Sequence, residues 1–80
     1  MVTLQVYVAA DCWSCQETRR LVADMQLLFP DVSFELLDTA QTPLPDYVFA
    51  VPTYVLNGRV ISLGNPTRAV LAQKLAAAQA

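Results

Sequence analysis

Thr3-Leu4-Gln5-Val6-Tyr7-Val8, Ala9-Ala10-Asp11, Cys12-Trp13-Ser14-Cys15 and the run from Gln16 to Phe29-Pro30 form the stretch whose reading decides the fold. The first six residues alternate β-branched, aromatic and apolar side chains. Leu4, Val6 and Val8 fall on one face and Gln5 and Tyr7 on the other, which is a strand pattern. After the two cysteines the period changes. Thr18, Leu21, Val22, Met25, Leu28 and Phe29 recur at helical spacing, while Gln16, Glu17, Arg19, Arg20, Asp24 and Gln26 take the opposite side. This predicts a helix from Trp13 to Phe29, stopped by Pro30, whose ring cannot continue it. The cysteine pair therefore lies where a strand hands over to the N-terminus of a helix.

Outward from that unit, Ser33–Asp38 is a second strand, with Val32, Phe34 and Leu36 alternating against Ser33, Glu35 and Leu37. Thr39–Ala50 contains Pro43 and Pro45, so no long helix fits, and one or two turns are expected around Leu44–Phe49. Thr53–Leu56 and Val60–Leu63 are short strands joined by Asn57-Gly58, a two-residue hairpin signal. Asn65-Pro66 reads as an N-cap followed by proline at the first helical position. Val70, Leu71, Leu75 and Ala78 mark the buried stripe of that last helix, and its alanine-rich end, Ala76–Ala80, is expected to fray. The first three elements make a right-handed crossover between parallel strands, and the last two strands make an antiparallel hairpin. The expected architecture is α/β: one four-stranded mixed sheet flanked by helices, in the order βαβαββα. Tyr47, Phe49 and Tyr54 are expected to fill the core on either side of the sheet.

Eighty residues match one domain, near the lower end of the roughly 50–200 residues over which single cores are built. With 55% apolar and 15% charged residues, the chain is too hydrophobic and too weakly charged for a disordered tail. Five cations against seven anions give a net charge of −2, which argues against a general nucleic-acid or anionic-membrane surface. Apolar runs are short and broken by polar residues, so no spanning helix of about 20 residues is expected. Met1 is not followed by the basic segment of an export signal, and Val2–Val8 reads as a strand, so a reducing cytoplasm is the expected compartment. There a structural disulfide would be unusual.

A Cys-x-x-Cys pair at a strand-to-helix junction inside a strand–helix–strand unit has a redox reading. The unpaired N–H groups and positive dipole end of the helix favour an anion, so the Cys12 thiol is expected below its ordinary value of about 8.5. A Cys12 thiolate can attack a disulfide, and Cys15, one helical turn on, can resolve the mixed disulfide that results. Three other readings compete. Zinc wants four ligands, and with no histidine and only two cysteines a site would need carboxylates or a second subunit, so neither metal nor cofactor is expected. The cysteines can also be inert core residues. A bridge serving stability alone is disfavoured, because so short a loop brings a small gain in chain entropy.

With CWSC in the active-site position, the chain resembles the thioredoxin-like superfamily. The resemblance extends to LPDYVFAVPTYVLNGRVISLGNP, residues 44–66. This looks like the second half of a small thioredoxin or glutaredoxin: a tyrosine-containing turn, Val-Pro-Thr, a strand, an Asn-Gly hairpin, a second strand and a glycine before the last helix. The resemblance implies that Pro52 is preceded by a cis bond and lies against the cysteine pair. It also implies that the backbone of Val51 pairs with an extended substrate chain, a contact that binds many disulfides with little reading of sequence. Cys12 and Cys15 would then be the catalytic pair, with Trp13, Val51, Pro52 and Thr53 bordering the substrate. Trp13 stays open between packing beside the helix start and joining an apolar platform that meets substrate.

The chain departs from the family pattern in several places. Thioredoxins usually place glycine and proline between the cysteines, where Trp13 and Ser14 stand here, and carry a buried acid on the first strand, which Leu4–Val8 lacks. Glutaredoxins usually have a basic residue ahead of the first cysteine and an acidic pair after the glycine. Here those places hold Asp11 and Asn65-Pro66-Thr67-Arg68, and Asp11 would repel a glutathione carboxylate. The function implied is a monomeric thiol–disulfide oxidoreductase. Its substrates would be protein or small-molecule disulfides, and its electrons would come from a reductase or dithiol donor. The alternative is a non-catalytic binding module of the same fold, with a redox-sensitive or metal- or cluster-holding cysteine pair.

Overall fold

The computed structural model describes all 80 residues. Its elements run β1 (Thr3–Val8), α1 (Cys15–Leu28), β2 (Ser33–Asp38), β3 (Thr53–Leu56), β4 (Arg59–Leu63) and α2 (Arg68–Gln79). The strands form one sheet in the order β2-β1-β3-β4. β1 and β2 are parallel, with Thr3 opposite Ser33 and Val8 opposite Asp38, as a strand–helix–strand crossover requires. β3 runs antiparallel to both β1 and β4. The four-stranded mixed sheet expected from the sequence is therefore present.

Strand alternation divides the core in two. Leu4, Val6 and Val8 of β1 and Tyr54 and Leu56 of β3 pack with Leu21, Val22 and Met25 of α1 and Leu71 and Leu75 of α2, so both helices share one face of the sheet. The opposite face is thinly covered. There Tyr7 and Val55 pack against Val48 from the segment between β2 and β3, with Leu37 at the margin. The helices are further joined by Arg68, which reaches Asp24 at 2.8 Å and Glu17 at 3.4 Å, and these two carboxylates hold its guanidinium above its ordinary value. Glu17 also lies 3.8 Å from Arg20, the i,i+3 pair its spacing predicts.

The Asn57-Gly58 hairpin forms as read, with positive φ at both residues, 49° and 84°, the backbone a two-residue turn of this hand requires. Asn57 also binds the start of β1, its Oδ1 accepting from the Thr3 N–H at 2.9 Å. β4 begins at Arg59 and carries one extra residue where the register shifts between Tyr54 and Val55, a bulge in an edge strand.

Several expectations fail locally. No helix forms around Leu44–Phe49; a single turn closes with the Val48 N–H on Pro45 O at 3.0 Å. Pro43 and Pro45 supply no N–H, and Pro52 holds the residue before it extended, so the segment lacks the donors a helix needs. Its aromatic residues consequently face outward: Phe49 is 76% exposed and Tyr47 43% exposed, and only Tyr54 of the three is in the core. α1 starts at Cys15, not Trp13, because Ser14 is its N-cap. α2 starts at Arg68 with Thr67 as N-cap, the Thr67 hydroxyl accepting from the Val70 N–H at 3.1 Å. Pro66 therefore precedes the helix. Val70 and Leu28 sit at the margins of their stripes and stay exposed, while α2 runs on to Gln79.

Candidate active site

Ala9–Ser14 leaves the end of β1 and turns into α1. Cys12 donates its N–H to Ala9 O at 3.3 Å, and Cys15 donates to Cys12 O at 3.3 Å, so the loop folds back and brings the two Cα atoms to 5.2 Å. The sulfurs are bonded to each other. They differ in access: Cys12 is half-buried, whereas Cys15, the first residue of α1, has no exposed surface. Ser14 gives α1 no side-chain cap. Its hydroxyl lies 3.7 Å from the Cys12 sulfur instead. Thr18 N–H bonds Ser14 O, but the N–H groups of Gln16 and Glu17 have no backbone partner, and these orphan donors form the positive end of the helix beside Cys12.

The Val51–Pro52 bond is cis, and Pro52 is buried. Neither the N–H nor the C=O of Val51 makes a backbone hydrogen bond within the chain, so both groups stand unpaired immediately before β3. Thr53 is fully buried, and its hydroxyl donates to Ala50 O at 2.6 Å. Its side chain thus braces the Ala50–Val51 turn from within and does not face outward. Val51 borders a shallow apolar hollow with Thr39, Leu44, Val48, Phe49 and Ala50. Trp13 is 96% exposed, which leaves it packed against almost nothing. It borders a separate hollow with Gln16, Glu17 and Arg20, so it shares no lining residue with the hollow at Val51.

Three residues at this junction had no part in the sequence-based site. The Asn65 amide donates to Ser14 O at 2.9 Å, while its Oδ1 accepts from the Tyr54 hydroxyl at 2.7 Å and the Thr18 hydroxyl at 2.6 Å. Thr18 has one proton to give, so Ser14 O, 3.2 Å away, is its weaker alternative. The available signals were a hydroxyl in the apolar stripe of α1, at Thr18, and two competing cap residues, Asn65 and Thr67, of which α2 uses only the second. No buried side-chain polar atom is left without a partner.

Burial holds the Tyr54 hydroxyl above its ordinary pKa of 10.0, with the Thr18 hydrogen bond opposing this shift and the Glu17 carboxylate reinforcing it. Burial raises Tyr7 likewise, helped by Tyr47 and Glu35. The unfolded chain therefore releases these protons first as pH rises, and stability is complete below pH 10 and falls above it. The urea midpoint should be flat from pH 7 to 9 and decline above 10, and Tyr54→Phe should reduce that alkaline slope. An unchanged slope would exclude Tyr54 as a source.

No protein-family model matches the chain. The thioredoxin of Methanocaldococcus jannaschii is 30% identical over 78 residues, covering 92% of each chain. Among solved structures, Fasciola hepatica thioredoxin superposes with a TM-score of 0.77 at 21% identity, covering 95% of this chain and 79% of its own. Oxidised mitochondrial thioredoxin 3 from Saccharomyces cerevisiae superposes with a TM-score of 0.75 at 24% identity, covering 95% of this chain and 77% of its own. No helix is long and apolar enough to cross a membrane.

Proposed function

We propose, because this chain belongs to the thioredoxin family, that its Cys12–Cys15 pair exchanges electrons with protein or small-molecule disulfides through a mixed-disulfide intermediate. The observation that carries this reading is the asymmetry of the pair: one sulfur is accessible beside uncapped helix N–H groups and the other is enclosed behind it. In the reductive direction the Cys12 thiolate attacks one sulfur of R–S–S–R′. The Cys12–S–S–R bond forms and R′S⁻ leaves. Cys15, once deprotonated, attacks the Cys12 sulfur, forming the intramolecular disulfide and expelling RS⁻. Two electrons have then passed from protein to substrate, and a reductase or dithiol donor restores the dithiol.

The N–H groups of Gln16 and Glu17 support Cys12 as the nucleophile by stabilising its anion, and the Ser14 hydroxyl lies near enough to add to that. The unpaired Val51 backbone supports the substrate edge, with Pro52 shaping it and Thr53 fixing its turn from inside. Trp13 offers a second, separate apolar contact. Exposed Asp11 ahead of Cys12 and the exposed Phe49 beside Val51 favour a protein substrate and a protein reductase or dithiol over glutathione, setting the chain apart from glutaredoxins. Both cysteines belong to this one pair.

Trapping tests the assignment of roles. Cys15→Ser should accumulate a covalent complex with a protein disulfide, visible by mass spectrometry and released by dithiothreitol, and Cys12→Ser should not. Equal trapping by both variants, or by neither, would refute it.

A further inference from the structure

We infer that Asn65 is a positioning residue that sets the reduction potential of the Cys12–Cys15 pair by tying the loop between the cysteines to the Val51–Pro52 edge; this rests on the pair being redox-active. Two adjacent residues make the tie. The Gly64 N–H donates to Pro52 O at 2.8 Å, and the Asn65 Nδ2 donates to Ser14 O at 2.9 Å. Ser14 is the residue directly ahead of Cys15, and its carbonyl is also the acceptor of the first α1 hydrogen bond, from the Thr18 N–H at 3.2 Å.

The amide is itself held from both sides. Tyr54 and Thr18, one on β3 and one on α1, are fully buried, and both donate to Oδ1. Turning the amide over would set Oδ1 against Ser14 O and face two hydroxyl donors with an NH₂ group, so only one orientation satisfies all four groups. Ser14 therefore cannot shift without breaking the bond to Asn65 or dragging on Tyr54 and Thr18.

The consequence for the redox pair follows from loop closure. A disulfide requires Cα atoms about 4.4–6.8 Å apart, and here they stand at 5.2 Å. A loop pinned near that separation in the dithiol form loses less freedom when the bond closes, so pinning favours the disulfide, and release of the pin favours the dithiol. In the exchange with glutathione, protein dithiol plus oxidised glutathione gives protein disulfide plus two reduced glutathione molecules. The constant of that reaction measures the effect directly.

Asn65→Ala should lower this constant about tenfold, raising the reduction potential by about 30 mV. Tyr54→Phe, which keeps the ring and loses one hydroxyl, should shift it in the same direction by about threefold. Equilibration in glutathione buffers, quenched with acid and read by mass, gives the constant. Unfolding of the oxidised and reduced forms closes the thermodynamic cycle. A residue that merely braced the fold would weaken both forms equally and leave the constant unchanged, and that result for Asn65→Ala overturns the inference. Should Asn65→Ala not fold, Tyr54→Phe decides, with an unchanged constant again overturning it. If neither glutathione nor dithiothreitol buffers interconvert the dithiol and disulfide forms of the unsubstituted protein, the redox reading fails and takes this inference with it.

Discussion

In the reduced protein, iodoacetamide should alkylate Cys12 at least about a hundredfold faster than Cys15 at pH 7. Two separate effects point the same way. Only the thiolate reacts, and Cys12 lies beside the uncapped turn formed by Gln16 and Glu17, whose N–H groups have no backbone partner. The sulfur must also be reached. Cys12 is half-buried, whereas Cys15 has no exposed surface and packs with Leu21 and Leu71 in the main core cluster. Burial in such surroundings disfavours the charged form of Cys15 as well as blocking the reagent. Peptide mapping after timed quenching reads the two rates separately. Comparable rates, or faster labelling of Cys15, would mean that the loop opens on reduction far enough to erase the asymmetry on which the proposed nucleophile and resolving roles depend.

Much of the fold was legible because its signals are local. Alternation in Thr3–Val8, the helical period from Thr18 to Met25 and the Asn57-Gly58 turn each depend on residues a few positions apart, and each appears where it was read. The place of the cysteine pair between β1 and α1 was legible for the same reason, and so was the start of β3 at Thr53, directly after the cis Val51–Pro52 bond. Illegible features required knowing what lies across the sheet. Asn65 looked like a helix cap because asparagine before Pro66 caps helices well, but its three partners, at positions 14, 18 and 54, come from elements far away in sequence. Tyr47 and Phe49 looked like core residues by type alone. They are exposed because the prolines around them prevent the helix that would have turned one side of that segment inward. Thr53 was expected to border substrate from its place beside Pro52, yet its hydroxyl is committed to Ala50 O.

Leu28 and Leu71 make this distinction measurable, since both fall at apolar helical spacing and only one is buried. Leu71 has no exposed surface and joins the cluster that contains Cys15, while Leu28 is 63% exposed at the end of α1. Leu71→Ala should therefore cost about 3–5 kcal/mol, the transfer free energy of the lost methyls plus the cavity left behind. Leu28→Ala should stay within about 0.5 kcal/mol. For a chain of 80 residues the total stability is about 4–12 kcal/mol, so the first change removes a large share of it. The redox state then matters for folding. A bridge closing the short loop from Cys12 to Cys15 restricts the unfolded chain by about 2 kcal/mol on the chain-entropy model, a gain lost on reduction. Urea unfolding of Leu71→Ala should accordingly show a midpoint far below that of the unsubstituted protein in both redox states and lowest in the reduced form, whereas Leu28→Ala should match the unsubstituted protein in both states. Equal effects of the two substitutions would place α2 differently against the sheet from the core cluster that Leu71 shares with Leu4, Val6 and Tyr54.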